Sequence, residues 1–325
     1  MQETRSDPHY ALELNDVTKR YVGHLAVDRL TLGVPAGSIY GILGPNGAGK
    51  STTLRMVMHI IARDSGSIAV LGSDPATDRR VLRRVGYLPE ERGLYRKMTA
   101  LDVIVFFGAL RGMRESDARR EAVTWLDRMG LSQWQRARIE TLSKGMQQKV
   151  QFITTVIHRP ELLILDEPAS GLDPVNQEVL RDTILAARRE GRTIVFSTHN
   201  MDQAEQLCDF VCIIADGRKV LDGALGDIRR AHAGYKYRVA FDSITPGVLA
   251  AMDDGGVIRG AVRVGDAWDM ELPTREAVAR ALAALASADA PIASFEHVKP
   301  SLHEIFVARV GHAEVASRRP EVQRA

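Results

Sequence analysis

One run of nine residues, Gly44-Pro-Asn-Gly-Ala-Gly-Lys-Ser-Thr52, restricts the fold more than any other stretch of the chain. It fits the pattern Gly-x-x-x-x-Gly-Lys-Ser, in which glycines let successive backbone N–H groups turn inward around a phosphate chain. Lys50 brings a positive charge to the β- and γ-phosphates, and Ser51 brings a hydroxyl able to ligate Mg²⁺. The helix that follows presents its positive dipole end to the same anion. A chance match arises in roughly one chain of this length in a hundred, and the context strengthens the reading. Residues 38–43 read as a buried strand entering the loop, and residues 53–62 as a helix leaving it.

A second constraint lies at Leu162-Leu-Ile-Leu-Asp166-Glu167. Four apolar residues suit a strand buried on both faces, as in the centre of a parallel sheet. Burial does not account for two adjacent carboxylates at its C-terminal end, where open α/β sheets bind ligands. Asp166 is suited to holding Mg²⁺ through water and Glu167 to polarising an attacking water. Alternation along a strand points the two side chains in opposite directions, so they can take different jobs. Strand-like segments at 11–17, 30–34, 193–197 and 210–215 alternate with helical ones at 175–190 and 202–208. Residues 79–157 read as mainly helical, with turn signals at Gly86, Gly93, Gly112 and Gly130. The alternation predicts an α/β fold with a largely parallel sheet.

The chain has 325 residues, enough for two domains. Its 43 Lys and Arg nearly balance 41 Asp and Glu, so the net charge of +2 gives no case for nucleic-acid binding. The same balance excludes a disordered polyelectrolyte. Cys208 and Cys212 cannot build a disulfide framework and read as small buried residues in a reducing compartment. No apolar stretch approaches the ~20 residues of a spanning helix, and residues 1–8 carry no apolar signal segment. The expectation is a cytosolic protein, with any membrane work left to another chain. From about residue 228 the character changes. Strands at 235–241, 257–264, 267–272 and 292–297, with helices at 275–286 and 301–310, predict a small α+β unit. The polar residues 313–325 are expected to form a flexible tail.

Three further motifs stand in a fixed order around these elements: Leu142-Ser-Lys-Gly-Met146, Ser170-Gly-Leu-Asp173 and Ser197-Thr-His199. With Tyr21, the phosphate loop and the acid pair, this order resembles the nucleotide-binding subunits of ATP-binding-cassette (ABC) transporters over about residues 12–225. The resemblance implies a P-loop NTPase cassette at 9–227, with a mixed-sheet core and a helical subdomain at about 88–160. An accessory α+β domain follows at 235–312. Tyr21 is similar to the aromatic residue that stacks on adenine. Gly44, Pro45, Asn46, Gly47, Ala48, Gly49, Lys50, Ser51 and Thr52 match the nucleotide-binding loop. Ser143 and Gly145 match the signature that contacts a γ-phosphate held by the opposite subunit. Ser51 and Asp166 are the implied Mg²⁺ ligands, and Glu167, His199 and Lys50 the implied catalytic set. ATP and Mg²⁺ are the implied cofactors. The implied partners are a second nucleotide-binding subunit, identical or different, in a head-to-tail dimer around two ATP molecules, and a separate transmembrane permease. The subunit would then lie peripherally on the cytoplasmic face of the cell membrane, without nucleic acid.

Two motifs depart from the common pattern. Glu90 stands where the family normally has Gln, and its carboxylate can still reach Mg²⁺ or the attacking water. Lys144 and Met146 stand where Gly and Gln are usual, and Met146 cannot replace an amide's hydrogen bonds. With Pro89-Glu-Glu-Arg-Gly-Leu-Tyr95, Gly145-Met-Gln-Gln-Lys-Val-Gln151 and Pro300-Ser-Leu-His-Glu-Ile-Phe306, these departures resemble the ABC-2-type exporter branch that includes sodium-extrusion subunits. The function implied is ATP-driven export by a separate permease, whose own residues select the substrate. The alternative is a soluble ABC ATPase acting on ribosomes or DNA. Such proteins carry paired cassettes, long coiled coils or zinc insertions, whereas this chain has one phosphate loop and no heptad run or cysteine cluster. A small-molecule kinase would leave Ser143, Asp173 and His199 without work.

Other signals carry less. His303-Glu304 opens like a zinc-protease motif, but Val307 stands where the second histidine belongs, and Leu302, Ile305 and Phe306 share a helical face suited to packing. Arg79, Arg80, Arg83 and Arg84 read as a solvated helix face. Residues 91–99 set Leu94, Tyr95 and Met98 among Arg92, Arg96 and Lys97, a mixture suited to contact with the permease.

Overall fold

The computed structural model describes residues 10–91, 93–242, 247, 249, 253, 256–287 and 291–317. The chain forms two units. One comprises the described residues up to Leu225 together with residues 309–317, and the other spans Gly226–Ala308. In the first unit the strands are β1 (Tyr10–Tyr21), β2 (His24–Pro35), β3 (Ile39–Leu43), β4 (Ser65–Val70), β5 (Val85–Leu88), β6 (Leu162–Asp166), β7 (Thr193–Thr198), β8 (Phe210–Ala215) and β9 (Arg218–Ala224). Its helices are α1 (Lys50–Val57), α2 (Ala100–Leu110), α3 (Glu115–Arg128), α4 (Lys144–Val156), α5 (Pro174–Arg189) and α6 (Met201–Leu207).

Apolar runs build the middle of the main sheet. Every residue of β3, β6 and β7 is buried, as parallel strands covered on both faces require. The strand order is β5-β6-β7-β3-β8-β9, parallel throughout except for the β8–β9 hairpin. A three-stranded antiparallel sheet, β2-β1-β4, shares its core. Leu12, Leu30 and Val34 of the small sheet pack with Ile42, Ile164 and Val195 of the large one and with Leu54 and Val57 of α1. Register then sets the site. Leu43 pairs with Thr198, Asp166 with Ser197, and Leu88 with Leu165. The chain therefore leaves four strands at one edge of the sheet, the carboxyl end at which α/β sheets take ligands. Thr99, Ser143, Asp173 and Asn200 cap α2, α4, α5 and α6 with side-chain acceptors.

The segment read as helical from 79 to 157 also contains a strand, β5. At four residues it shows no periodicity, and Gly86 looks like a turn signal. In the fold Gly86 is a close-approach glycine: a Cβ there would lie 2.4 Å from the Thr155 carbonyl oxygen on α4. Strands β4 and β9 were also not expected. The signal for β9 was Asp216-Gly217, both at positive φ (48° and 74°), the two-residue turn that hairpin twist favours.

Helix α7 (Leu225–Ala231) enters the second unit, whose sheet is β11-β12-β10-β13 with β10 (Lys236–Phe241), β11 (Ala261–Val264), β12 (Ala267–Glu271) and β13 (Ile292–His297) antiparallel. Helix α8 (Arg275–Ser287) buries Ala277, Ala281 and Leu285, one face at four-residue spacing, in a core with Val239 and Met270. Ser301 and Glu304 form a reciprocal capping box before α9 (Leu302–Ser317), so Glu304 has a structural task. The flexible tail expected from residue 313 is helical as far as Ser317. His312-Ala-Glu-Val-Ala-Ser317 contains no helix breaker before Pro320. Residues 318–325 lie outside the described residues.

Candidate nucleotide site

Strand β3 delivers the chain into the glycine loop, and α1 starts at Lys50 with no side-chain cap. Gly44 and Gly49 sit at φ 150° and 101°, and neither has room for a side chain. A Cβ would lie 2.1 Å from the Ile214 carbonyl oxygen at Gly44 and 2.3 Å from that of Ala26 at Gly49. The first N–H groups of α1 are left for an anion. Lys50, 5% exposed, folds back over the loop. Its Nζ donates to the carbonyls of Gly44 (2.7 Å) and Pro45 (3.1 Å) and lies 3.6 Å from Glu167 Oε1.

Asp166 closes β6 and is fully buried. Its Oδ1 accepts from Ser51 Oγ (3.0 Å) and from Ser197 Oγ (2.5 Å). Its Oδ2 is buried and has no hydrogen-bond partner. Such an oxygen is costly to bury unless something occupies it. Two protein oxygens, with other positions left to water and phosphate, are the sparse donor set that suits Mg²⁺. Among the described residues no cluster of three His, Cys, Asp or Glu forms an all-protein cage. Asp166 and Ser51 therefore fit Mg²⁺.

Glu167 departs from the strand. Its φ of +47° is left-handed, a strained conformation for a residue with a side chain and one that concentrates at functional sites. The separation of the two carboxylates thus rests on this turn and not on strand alternation, which ends at Asp166. The Glu167 N–H donates to both the carbonyl and Oγ of Ser197, each at 3.2 Å. The turn carries the carboxylate, 10% exposed, to Lys50 and to His199, whose Nδ1 lies 3.0 Å from the same Oε1.

A cleft of about 330 Å³ opens here, lined by Tyr21, His24, Ala26, residues 46–52, Glu90 and Glu167. The structure so brings together the loop, the aromatic residue, Glu90 and Glu167 from four separate parts of the chain. Tyr21 is 44% exposed at the end of the β1–β2 hairpin, with Lys19 Nζ 5.6 Å from its ring centroid. His24 escaped the sequence reading. It is the cross-strand partner of Tyr21, and the turn Val22-Gly23 was the available signal. Glu90 follows β5, and Gln151 Nε2 donates to the carbonyls on either side of it, Pro89 (3.4 Å) and Glu91 (3.2 Å).

Ser143 and Gly145 do not line this cleft. Ser143 caps α4, its Oγ accepting the Met146 N–H at 3.2 Å. A Cβ on Gly145 would meet only Asn176 Nδ2, at 3.9 Å, so no contact within the chain demands glycine there.

Residues 27–170 match the ABC transporter family, and residues 223–310 match the C-terminal domain of DrrA1-3-like ATP-binding proteins. YhaQ, an ABC transporter ATP-binding protein of Bacillus subtilis, is 38% identical over 300 residues, covering 92% of this chain and 98% of its own. The chain belongs to the ABC transporter ATP-binding family. The chain is also similar to DrrA of Streptomyces peucetius, a daunorubicin/doxorubicin resistance ATP-binding protein. DrrA is 32% identical over 320 residues, with 94% of each chain covered. A solved ATP-binding subunit of an ABC transporter superposes with a TM-score of 0.64 at 31% identity, over 68% of this chain and 92% of that one. These relatives support the exporter reading of the cassette over the ribosome or DNA alternative. ABC cassettes hydrolyse ATP, and membership makes this chain an ATPase. Among the described residues no helix is long and apolar enough to cross a membrane.

Proposed function

We propose that two copies of this cassette hydrolyse ATP at sites shared head to tail between them, and drive export through a separate permease from the cytoplasmic face of the membrane. The observation that carries the reading is the meeting of Lys50 Nζ and His199 Nδ1 on one oxygen of Glu167, at a phosphate-shaped loop. The loop N–H groups and Lys50 bind the β- and γ-phosphates, with Lys50 exchanging its carbonyl partners for phosphate oxygens. Tyr21 stacks on the base. Mg²⁺, when held by Ser51 and by Asp166 through water with Glu90 nearby, supplies neutralising charge at the phosphate oxygens. Glu167 orients a water for in-line attack and accepts its proton, while His199 steadies the carboxylate and contacts the γ-phosphate.

Ser143 and Gly145 are absent from their own cleft yet stand at the capped, partly exposed start of a thirteen-residue helix. An N-terminus of that kind binds anions, and the phosphate left for it is that of the opposite copy. One chain supplies both halves of the site, so a second copy suffices. The unit Gly226–Ala308 has no phosphate loop of its own in its sequence, and its role is accessory.

The permease contact is assigned to a groove of about 340 Å³ lined in part by Ile60, Tyr87, Leu94 and Phe107. Tyr95 beside it is 53% exposed and packs edge-on against Phe106 at 5.3 Å. Arg92 lies outside the described residues.

The test is Mg²⁺-dependent ATP hydrolysis by the purified chain, with Lys50→Ala as its control. Loss of both nucleotide binding and turnover is expected, and wild-type behaviour of Lys50→Ala would overturn the reading.

A further inference from the structure

We infer that Ser197 is a positioning residue for the Asp166 carboxylate, and that it sets how strongly Mg²⁺ strengthens ATP binding. The inference rests on the ATP-binding role proposed for the cleft. Ser197 lies on β7, fully buried, directly opposite Asp166 in the parallel ladder. A hydroxyl has one hydrogen to give and lone pairs to accept with, and here both capacities are used on the two acidic residues. The hydrogen goes to Asp166 Oδ1 at 2.5 Å, and the oxygen accepts the Glu167 N–H at 3.2 Å.

The consequence for Asp166 is an asymmetry between its oxygens. Both donors, Ser197 Oγ and Ser51 Oγ, address Oδ1, and Oδ2 is left buried and unpartnered. The Asp carboxylate torsion is broad and roughly two-fold on its own, so a fixed donor is needed to keep one particular oxygen free. Ser51 is itself a metal-ligand candidate. Ser197 is the donor with no other duty, and it is charge-assisted, the stronger kind of hydrogen bond. Glu167 keeps a second acceptor, the Ser197 carbonyl at 3.2 Å. Loss of the hydroxyl therefore releases the Asp166 carboxylate without unmaking the Glu167 turn.

The experiment compares the full-length wild type, Ser197→Ala and Ser197→Thr. Each is titrated with trinitrophenyl-ATP in EDTA and again in saturating Mg²⁺, with thermal midpoints recorded alongside. In Ser197→Ala the affinity in EDTA is expected to hold, while the gain on adding Mg²⁺ shrinks ~10-fold, the low end for partners that orient a metal ligand. Ser197→Thr, which keeps the hydroxyl, restores the gain. A wild-type gain in Ser197→Ala overturns the inference. So does equal loss in both variants accompanied by equal falls in thermal midpoint, which marks general packing. If Ser197→Ala does not fold, Ser197→Cys replaces it. The thiol is a weaker donor of similar shape, so an intermediate gain is expected and a wild-type gain overturns the inference. A wild type that binds no ATP in either condition instead refutes the cleft's proposed role.

Discussion

Glu167→Gln removes one negative charge and almost no volume. The side chain is 10% exposed, with Oε1 3.6 Å from Lys50 Nζ and 3.0 Å from His199 Nδ1. The amide oxygen still accepts from His199, so the left-handed turn and the loop are expected to survive. What disappears is the basic oxygen that receives the water's proton. Loss of a general base lowers turnover by ~10²–10⁴-fold, or about 2.7–5.4 kcal/mol of transition-state stabilisation. Binding moves the other way. Two unit charges 3.6 Å apart interact by ~5 kcal/mol at an effective dielectric constant of ~20, before desolvation is set against it. Without the carboxylate, Lys50 is freer for phosphate, and the γ-phosphate loses a like-charged neighbour. ATP affinity is therefore expected to hold or rise while hydrolysis collapses. Phosphate release and trinitrophenyl-ATP binding, measured on the same preparation, separate the two. A wild-type hydrolysis rate in Glu167→Gln would refute the reasoning and pass the role to Glu90 or Glu91.

Substituting Leu94 and Tyr95 together with Ser should reduce co-purification with the permease several-fold and leave ATP affinity unchanged; undiminished co-purification counts against the groove. His158 predicts a pH dependence of stability. Burial of its ring, with Arg111 nearby, pushes its pKa down from 6.5 to about 4. Between those values the unfolded chain binds a proton that the folded chain does not, so stability falls as pH drops below 6.5. Thermal midpoints of His158→Gln should show a shallower fall than wild type between pH 6.5 and about 5; parallel curves would contradict the assignment.

The loop, the acid pair and His199 were legible because each is a short local pattern whose side chains state their chemistry. Their meeting was only implied. It depends on the register that sets Leu43, Thr198 and Asp166 at one sheet edge, and pairings between distant segments leave no local mark. Strand β5 was hidden for a related reason: Gly86 serves the approach of α4, and that is indistinguishable from a turn glycine without the partner carbonyl. Ser197 was visible only as a neighbour of His199. Its two hydrogen bonds cross from β7 to β6 over about thirty residues of sequence. The strained turn at Glu167 was likewise invisible, since strand alternation alone led to a similar division of labour by a different route.

Mixing two inactive chains gives the most direct test of the shared site. Lys50→Ala breaks the phosphate loop and keeps the signature, while Ser143→Arg breaks the signature and keeps the loop. If two copies pair head to tail, each mixed dimer contains one intact site and one doubly broken site. Equal mixing and independent sites then restore hydrolysis to about a quarter of the wild-type rate per chain, from two components that are each near zero. Hydrolysis in the mixture that stays at the level of the separate variants would contradict the account.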